Sequence, residues 1–189
     1  MAAVPLLWQR CLSLRTPHEG VAGASVREGG QPLMLRFGLV IAVFVIAVDQ
    51  ATKLAAVAAL WDPPRIVEVF GFFNLVPVEN RGVSFGLLQG SGDLGRWLIA
   101  ALSIVISIAL GIWLRRQVLR LPAVGIALII GGALGNLIDR LRQGWVIDFI
   151  DLHAGTWHWP AFNIADAGIT VGVVLLLIDG LLRPGKRPT

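Results

Sequence analysis

Six of the twelve acidic residues in this 189-residue chain lie within or beside long apolar runs: Asp49, Asp139, Asp148, Asp151, Asp166 and Asp179. An ionisable side chain at membrane depth is expensive to keep there, and so marks a functional site by default. Asp179 follows Asp166 by 13 residues on one apolar run, which as a helix separates them by about 20 Å. It cannot share a site with the others. The remaining five map to one end of the runs or to the segment between the last two, so several carboxylates converge at one water–lipid boundary. Two close carboxylates do not readily both ionise: one keeps a proton while the other stays a base, and the pair can activate water and polarise a carbonyl. Asp148, between Ile147 and Phe149, is expected to be poorly solvated and to hold a proton. Asp166 falls in the first turn of the last run, where a helix dipole accommodates an anion.

Each candidate also has a purely structural reading. Asn163-Ile-Ala-Asp166 has the spacing of a helix cap with its reciprocal partner three residues on. Asp139 next to Arg140 reads as a local ion pair that ends the third run. Asp49 and Lys53, at i and i+4, suit an ion pair that lowers the insertion cost of both. Asn80-Arg81-Gly82 offers donors to a peptide backbone at a tight turn, as many turns do. Gly131, Gly132, Ala133 and Gly135 beside Asn136 allow a helix, whether neighbour or substrate, to approach closely. His153 and His158 stand near Asp148 and Asp151, but without a tight metal-ligand spacing, so no metal or other cofactor is expected. Ser103 and Ser107 have no histidine on their run to activate them. Buried acids also line proton and ion pathways, and a transporter is the alternative from another class, although acids crowded at one face do not step across a membrane.

The elements that must hold these residues are membrane helices. Hydrophobic residues make up 56% of the chain and charged residues 15%, against about 45–50% and 25% in soluble domains, and the mean hydropathy is +0.74. A chain this short has no water-soluble core large enough for that surface. Four spans are expected, at about 37–60, 97–114, 121–138 and 164–182, each long enough to cross the hydrocarbon as a helix. Ten of the sixteen Lys and Arg lie before the first span (Arg10, Arg15, Arg27, Arg36), between the second and third (Arg115, Arg116, Arg120) or after the fourth (Arg183, Lys186, Arg187). The positive-inside rule makes these places cytoplasmic and both termini with them. A pI near 10.5 is thereby explained as topology, and no nucleic acid is expected as a partner. Trp61, Trp97, Trp113, Trp145, Trp157 and Trp159 fit interfacial belts. The expected fold is an all-α membrane protein of four transmembrane helices, with a small β element at Ile66–Val78, stopped by Pro77, and an extended loop on the outer, periplasmic face. Residues 1–35 read as a disordered extension in which Cys11 is an unmodified thiol and Met34 a more natural start than Met1; 36–182 form the membrane domain and 183–189 a basic cytoplasmic tail.

Five ordered segments resemble the lipoprotein signal peptidases, signal peptidase II: Asp49-Gln-Ala-Thr-Lys53, Asn80-Arg-Gly-Val-Ser-Phe85, Gly132-Ala-Leu-Gly-Asn-Leu-Ile-Asp-Arg140, Val146-Ile-Asp-Phe149 and Phe162-Asn-Ile-Ala-Asp166. The likeness spans about Arg36 to Leu182. It implies a metal-independent aspartic endopeptidase of the bacterial inner membrane, with Asp148 and Asp166 as catalytic aspartates, which removes signal peptides from diacylglyceryl-modified prolipoproteins by cutting just before the lipidated cysteine. It implies further that Asp49, Lys53, Asn80, Gly82, Asn136, Asp139, Arg140, Asn163 and Ala165 shape the site or hold substrate, that membrane lipid is a neighbour, that globomycin-type peptides inhibit, and that a monomer suffices. Only the resemblance selects Asp148 over Asp139 or Asp151. Val83-Ser84 depart from the two alanines that family members often carry there.

Overall fold

The computed structural model describes residues 25–82 and 92–183. Cys11, Val83-Ser84, Lys186 and Arg187 lie outside the described residues. Four helices carry the chain: α1 (Ser25–Leu60), α2 (Gly92–Leu114), α3 (Arg120–Arg142) and α4 (Ile164–Leu182). All four are long and apolar enough to cross a membrane, as the apolar runs require. Only a helix satisfies every backbone N–H and C=O within its own segment, so an apolar run in lipid has little choice of structure. α1 begins at Ser25, so the last part of the segment expected to lack structure is helical and precedes the span.

α3 is the central helix. About 61% of its apolar window is buried, against 11–28% for the other three, and it packs against α1, α2 and α4. Glycines make this possible. At Gly125 and Gly172 a Cβ would meet the carbonyl oxygen of the other residue, at 2.9 and 2.6 Å, and at Gly132 it would collide with the backbone carbonyl of Ala165. Backbones that approach so closely gain dispersion contacts that larger side chains would prevent, and in lipid such packing replaces the hydrophobic drive. The outward faces of α1, α2 and α4 present Val43, Phe44, Val105, Leu177 and Leu181, whose solvent is the acyl chains.

α3 runs four residues past the expected end of its span at Ile138, so that Asp139 and Arg140 lie on its last turn. The last carbonyls of a helix need outside donors. Arg96 from α2 supplies them, with Nε donating to the Arg140 carbonyl at 2.7 Å and Nη2 to the Leu141 carbonyl at 3.2 Å.

The two connections at one end of the bundle join into a four-stranded antiparallel sheet of β1 (Val67–Phe70), β2 (Phe73–Asn80), β3 (Val146–Ala154) and β4 (Trp157–His158), in that order. The expected hairpin is β1–β2. Pro77 does not stop it: β2 continues to Asn80, and the register slips between Leu75 and Val78, where the ladder makes no demand on a missing N–H. β3, expected as part of an extended loop, is a strand paired with β2 and opposes Asp148 to Val78 and Asp151 to Asn74. Ile147 and Phe149 pack with Ala56 and Leu60 of α1, and Trp61 and Trp145 flank this cluster, stacked at 6.1 Å. β3 therefore sits on the end of α1 and turns Asp148 towards the bundle.

Candidate active site

The aspartates separate by their partners. Asp49 and Asp139 both face Lys53, whose Nζ is 2.8 Å from Asp49 Oδ2 and 2.8 Å from Asp139 Oδ2. All three side chains are buried, the lysine 1% exposed. The i, i+4 pair expected between Asp49 and Lys53 is therefore present. The pair expected between Asp139 and Arg140 is not: neighbours on a helix point about 100° apart, and Asp139 turns to Lys53 of α1 instead. Arg140 donates to the backbone carbonyls of Asn136 and Gly82, each at 3.2 Å. Asp139 also receives Gln50 Nε2 at 3.0 Å and the Ile147 N–H at 3.3 Å, and so ties α1 and α3 to the start of β3. Gln50 has no role of its own in the sequence reading; its signal there is membership of the Asp49-Gln-Ala-Thr-Lys53 segment.

Asp151 lies elsewhere. Odd-numbered steps along a strand change its face, and Asp151, three residues after Asp148, pairs with His158 Nδ1 at 2.9 Å and accepts Asn74 Nδ2 at 3.1 Å. His153 stacks on His158 with ring centres 5.0 Å apart. Asp179 is paired with Arg183 at 3.4 Å.

Asp148 and Asp166 remain, and every hydrogen bond they accept comes from a neutral donor. Asp148 Oδ2 accepts Asn80 Nδ2 at 2.9 Å and its Oδ1 accepts Asn163 Nδ2 at 2.7 Å. Asp166 Oδ1 accepts Asn136 Nδ2 at 2.8 Å and its Oδ2 accepts the Asn163 N–H at 3.3 Å. Asn163 touches both carboxyls and brings β3 and α4 together. It caps α4, accepting the Asp166 N–H at 3.0 Å in a reciprocal box. The capping role therefore does not exclude a chemical one, because one carboxyl oxygen serves the cap and the other does not. Asp49 Oδ1 adds a second hold on this turn by accepting the Ala165 N–H at 3.0 Å. Ala165 is fully buried at the α3–α4 contact, where Gly132 leaves room for its carbonyl.

Asp148 is 1% exposed. Burial, and next the Asp166 carboxyl nearby, push its pKa up to about 7, against the opposing pull of the Asn80 and Asn163 amides. Two grooves meet at Asp166. One, about 340 Å³, runs between α2 and α3–α4 past Leu102, Ile106, Ala133 and Ile169 to Asn80 and Arg140. The other, about 510 Å³, lies between α4 and the segment Trp159–Phe162. Mostly apolar walls leading to two acids suit an amphiphilic chain whose polar bond must reach the carboxyls.

An integral membrane protein with a paired acid at one rim of its helix bundle is the class that fold and site define. Residues 41–182 match the family model described as signal peptidase (SPase) II. Two lipoprotein signal peptidases, from Methylobacterium radiotolerans and Paraburkholderia phytofirmans, are 47% and 48% identical to the chain, covering 80% and 76% of it and 90% and 83% of their own lengths. A solved bacterial membrane enzyme structure superposes with a TM-score of 0.67 at 33% identity, over 81% of this chain and 94% of that one. A second gives 0.66 at 36% identity, over 78% and 94%. The chain belongs to the signal peptidase II family; it is a multi-pass bacterial membrane protein and a peptidase.

Proposed function

We propose that this peptidase removes signal peptides from diacylglyceryl-modified prolipoproteins, cutting just before the lipidated cysteine, with Asp148 and Asp166 as its catalytic dyad. The observation that carries the assignment is the sorting of partners among the described residues: of Asp49, Asp139, Asp148, Asp151 and Asp166, only Asp148 and Asp166 form no ion pair, and these two share one asparagine. Asp148, with its raised proton affinity, is the acid, and Asp166 in the first turn of α4 is the base. Asp166 takes a proton from water as the water oxygen bonds to the scissile carbonyl carbon, while Asp148 donates a hydrogen bond to the carbonyl oxygen. The tetrahedral adduct then collapses: the C–N bond breaks, the cysteine nitrogen receives a proton from the dyad, and the signal peptide leaves as a carboxylate.

Lys53, Asp49, Asp139 and Gln50 hold the helix ends that carry the dyad. Asn80, Asn136 and Asn163 hold its carboxyls, and Gly82, Arg140 and Ala165 shape the space beside them. The substrate enters sideways from lipid along the grooves. A dyad at the rim lets the diacylglyceryl chains stay in hydrocarbon, where withdrawing them would cost about 0.8 kcal/mol per methylene. The distribution of basic residues supports both termini in the cytoplasm and the dyad at the outer face, and the family resemblance supports the inner membrane. Globomycin-type peptides compete for the same grooves, and a single chain supplies every residue named. Apart from Asp179, which pairs with Arg183 near the other end, the acids of the four spans gather at one end, an arrangement that does not suit an ion pathway.

The test is purified protein in detergent with a diacylglyceryl-modified precursor and its unmodified counterpart. The expected result is cleavage of the lipidated form before its cysteine, unaffected by EDTA and blocked by globomycin. Equal cleavage of the unmodified form, or loss of activity with EDTA, would overturn the reading.

A further inference from the structure

We propose that Asn136 is a positioning residue, locked by Lys53 in the orientation that makes it a donor to Asp166, so that a lysine out of reach of substrate sets where the dyad's proton sits. This rests on Asp148 and Asp166 being the dyad. An ammonium has three N–H donors and no acceptor. All three of Lys53's are used, on Asp49 Oδ2 and Asp139 Oδ2 at 2.8 Å each and on Asn136 Oδ1 at 3.0 Å, so none is left for a substrate. Because lysine only donates, the end of the Asn136 amide that faces it must be the carbonyl. The NH₂ is thereby aimed at Asp166 Oδ1, 2.8 Å away.

The same logic fixes the other two asparagines. Asn163 Oδ1 accepts the Asp166 backbone N–H at 3.0 Å and Asn80 Oδ1 accepts the Gly82 backbone N–H at 3.1 Å. A backbone N–H cannot become an acceptor, so both amides turn their NH₂ groups to Asp148. Each of the four dyad oxygens thus accepts one N–H. The shared proton and the attacking water are confined to the lone pairs that remain. The charged groups facing Asp166 are Asp49 and Lys53 from α1, Arg140 from α3 and Asp148 from β3, with Asp139 behind Lys53. Lys53 acts on Asp166 both through its charge, which Asp49 opposes, and through the amide it orients.

Asn136→Asp isolates this role. It keeps an oxygen for Lys53 and Asn163 and exchanges the NH₂ that faces Asp166 for a second oxygen, adding a negative charge. N–H donors favour ionised carboxyls, so both limbs of the bell-shaped kcat profile should move up by about one pH unit. On the acidic limb kcat should fall about 10-fold and on the basic limb rise by a similar factor, with KM changing by less than about threefold. Asn136→Ala removes the same N–H without adding charge and should move the bell in the same direction by less, which covers the case in which Asn136→Asp does not fold. A bell that stays in place in the folded variants, or no activity at any pH in both, would overturn the proposal. Parallel Asp148→Asn and Asp166→Asn preparations separate the two levels. If either turns over precursor, the dyad assignment falls and this inference with it; if both are inactive while the Asn136 bell does not move, only the locking falls.

Discussion

At the scale of single residues, Asp148 is a carboxyl held at a disadvantage. Its pKa of about 7 in the fold, raised by burial and by Asp166, exceeds the roughly 3.9 of an unfolded aspartate. The folded state therefore binds the proton more tightly, and stability falls as pH rises from about 4 to about 7, where the cost is fully present. Thermal unfolding of the purified protein should show a melting temperature declining over that window, with a cost on the order of a few kcal/mol. Asp148→Asn should flatten the decline, and an unchanged slope would contradict it. Activity should likewise fade as pH climbs through about 7, because the acid loses its proton. The sequence supplied the candidates, Asp49, Asp139, Asp148, Asp151 and Asp166, but not the choice among them. That choice is made by partners 86 residues away along the chain for Asp139 and Lys53 and 68 for Asp148 and Asn80, a distance that no local spacing encodes.

Among elements, the α3–α4 contact places one member of the proposed dyad, since Asp166 rides on the turn that Gly132 admits. Gly132→Ala sets a methyl against the Ala165 carbonyl and the Ile169 side chain, a forced overpacking worth about 3 kcal/mol. It should lower the melting temperature and also reduce turnover by displacing Asp166. Gly111→Ala, where nothing lies within 4 Å, should change stability by less than about 0.5 kcal/mol; equal effects at the two sites would contradict this account of the packing. The helices were legible because a long apolar run in lipid has one solution. β3 was not. Its burial follows no alternation, with Val146, Ile147, Asp148 and Phe149 all buried, because one face covers α1 while the other closes the site. The extension of α3 to Arg142 was hidden for a similar reason: its terminal carbonyls are satisfied by Arg96, a residue of another helix.

For the whole molecule, the basic residues and the sheet define opposite ends. Arg116 lies in the short connection between α2 and α3, whereas Trp157, 61% exposed, lies on β4 at the other end of the bundle. In a Cys11→Ser background, a membrane-impermeant maleimide added to spheroplasts should label Trp157→Cys at once and Arg116→Cys only after the membrane is permeabilised. The reverse pattern would put the dyad at the cytoplasmic face, away from exported precursors. The exposed apolar faces of α1, α2 and α4 need no protein partner in this arrangement, because lipid covers them.

The central claim is that Asp148 and Asp166 work as one unit, and a kinetic cycle tests it most directly. Turnover of lipidated precursor would be measured for Asp148→Asn, Asp166→Asn and the double variant, each shown to be folded and membrane-inserted. Groups that act together lose their effect together, so each single change should cost about 10³-fold or more, and the double change little beyond that. Substantial turnover in either single variant, or losses that multiply in the double variant, would show that the two carboxyls do not share the reaction.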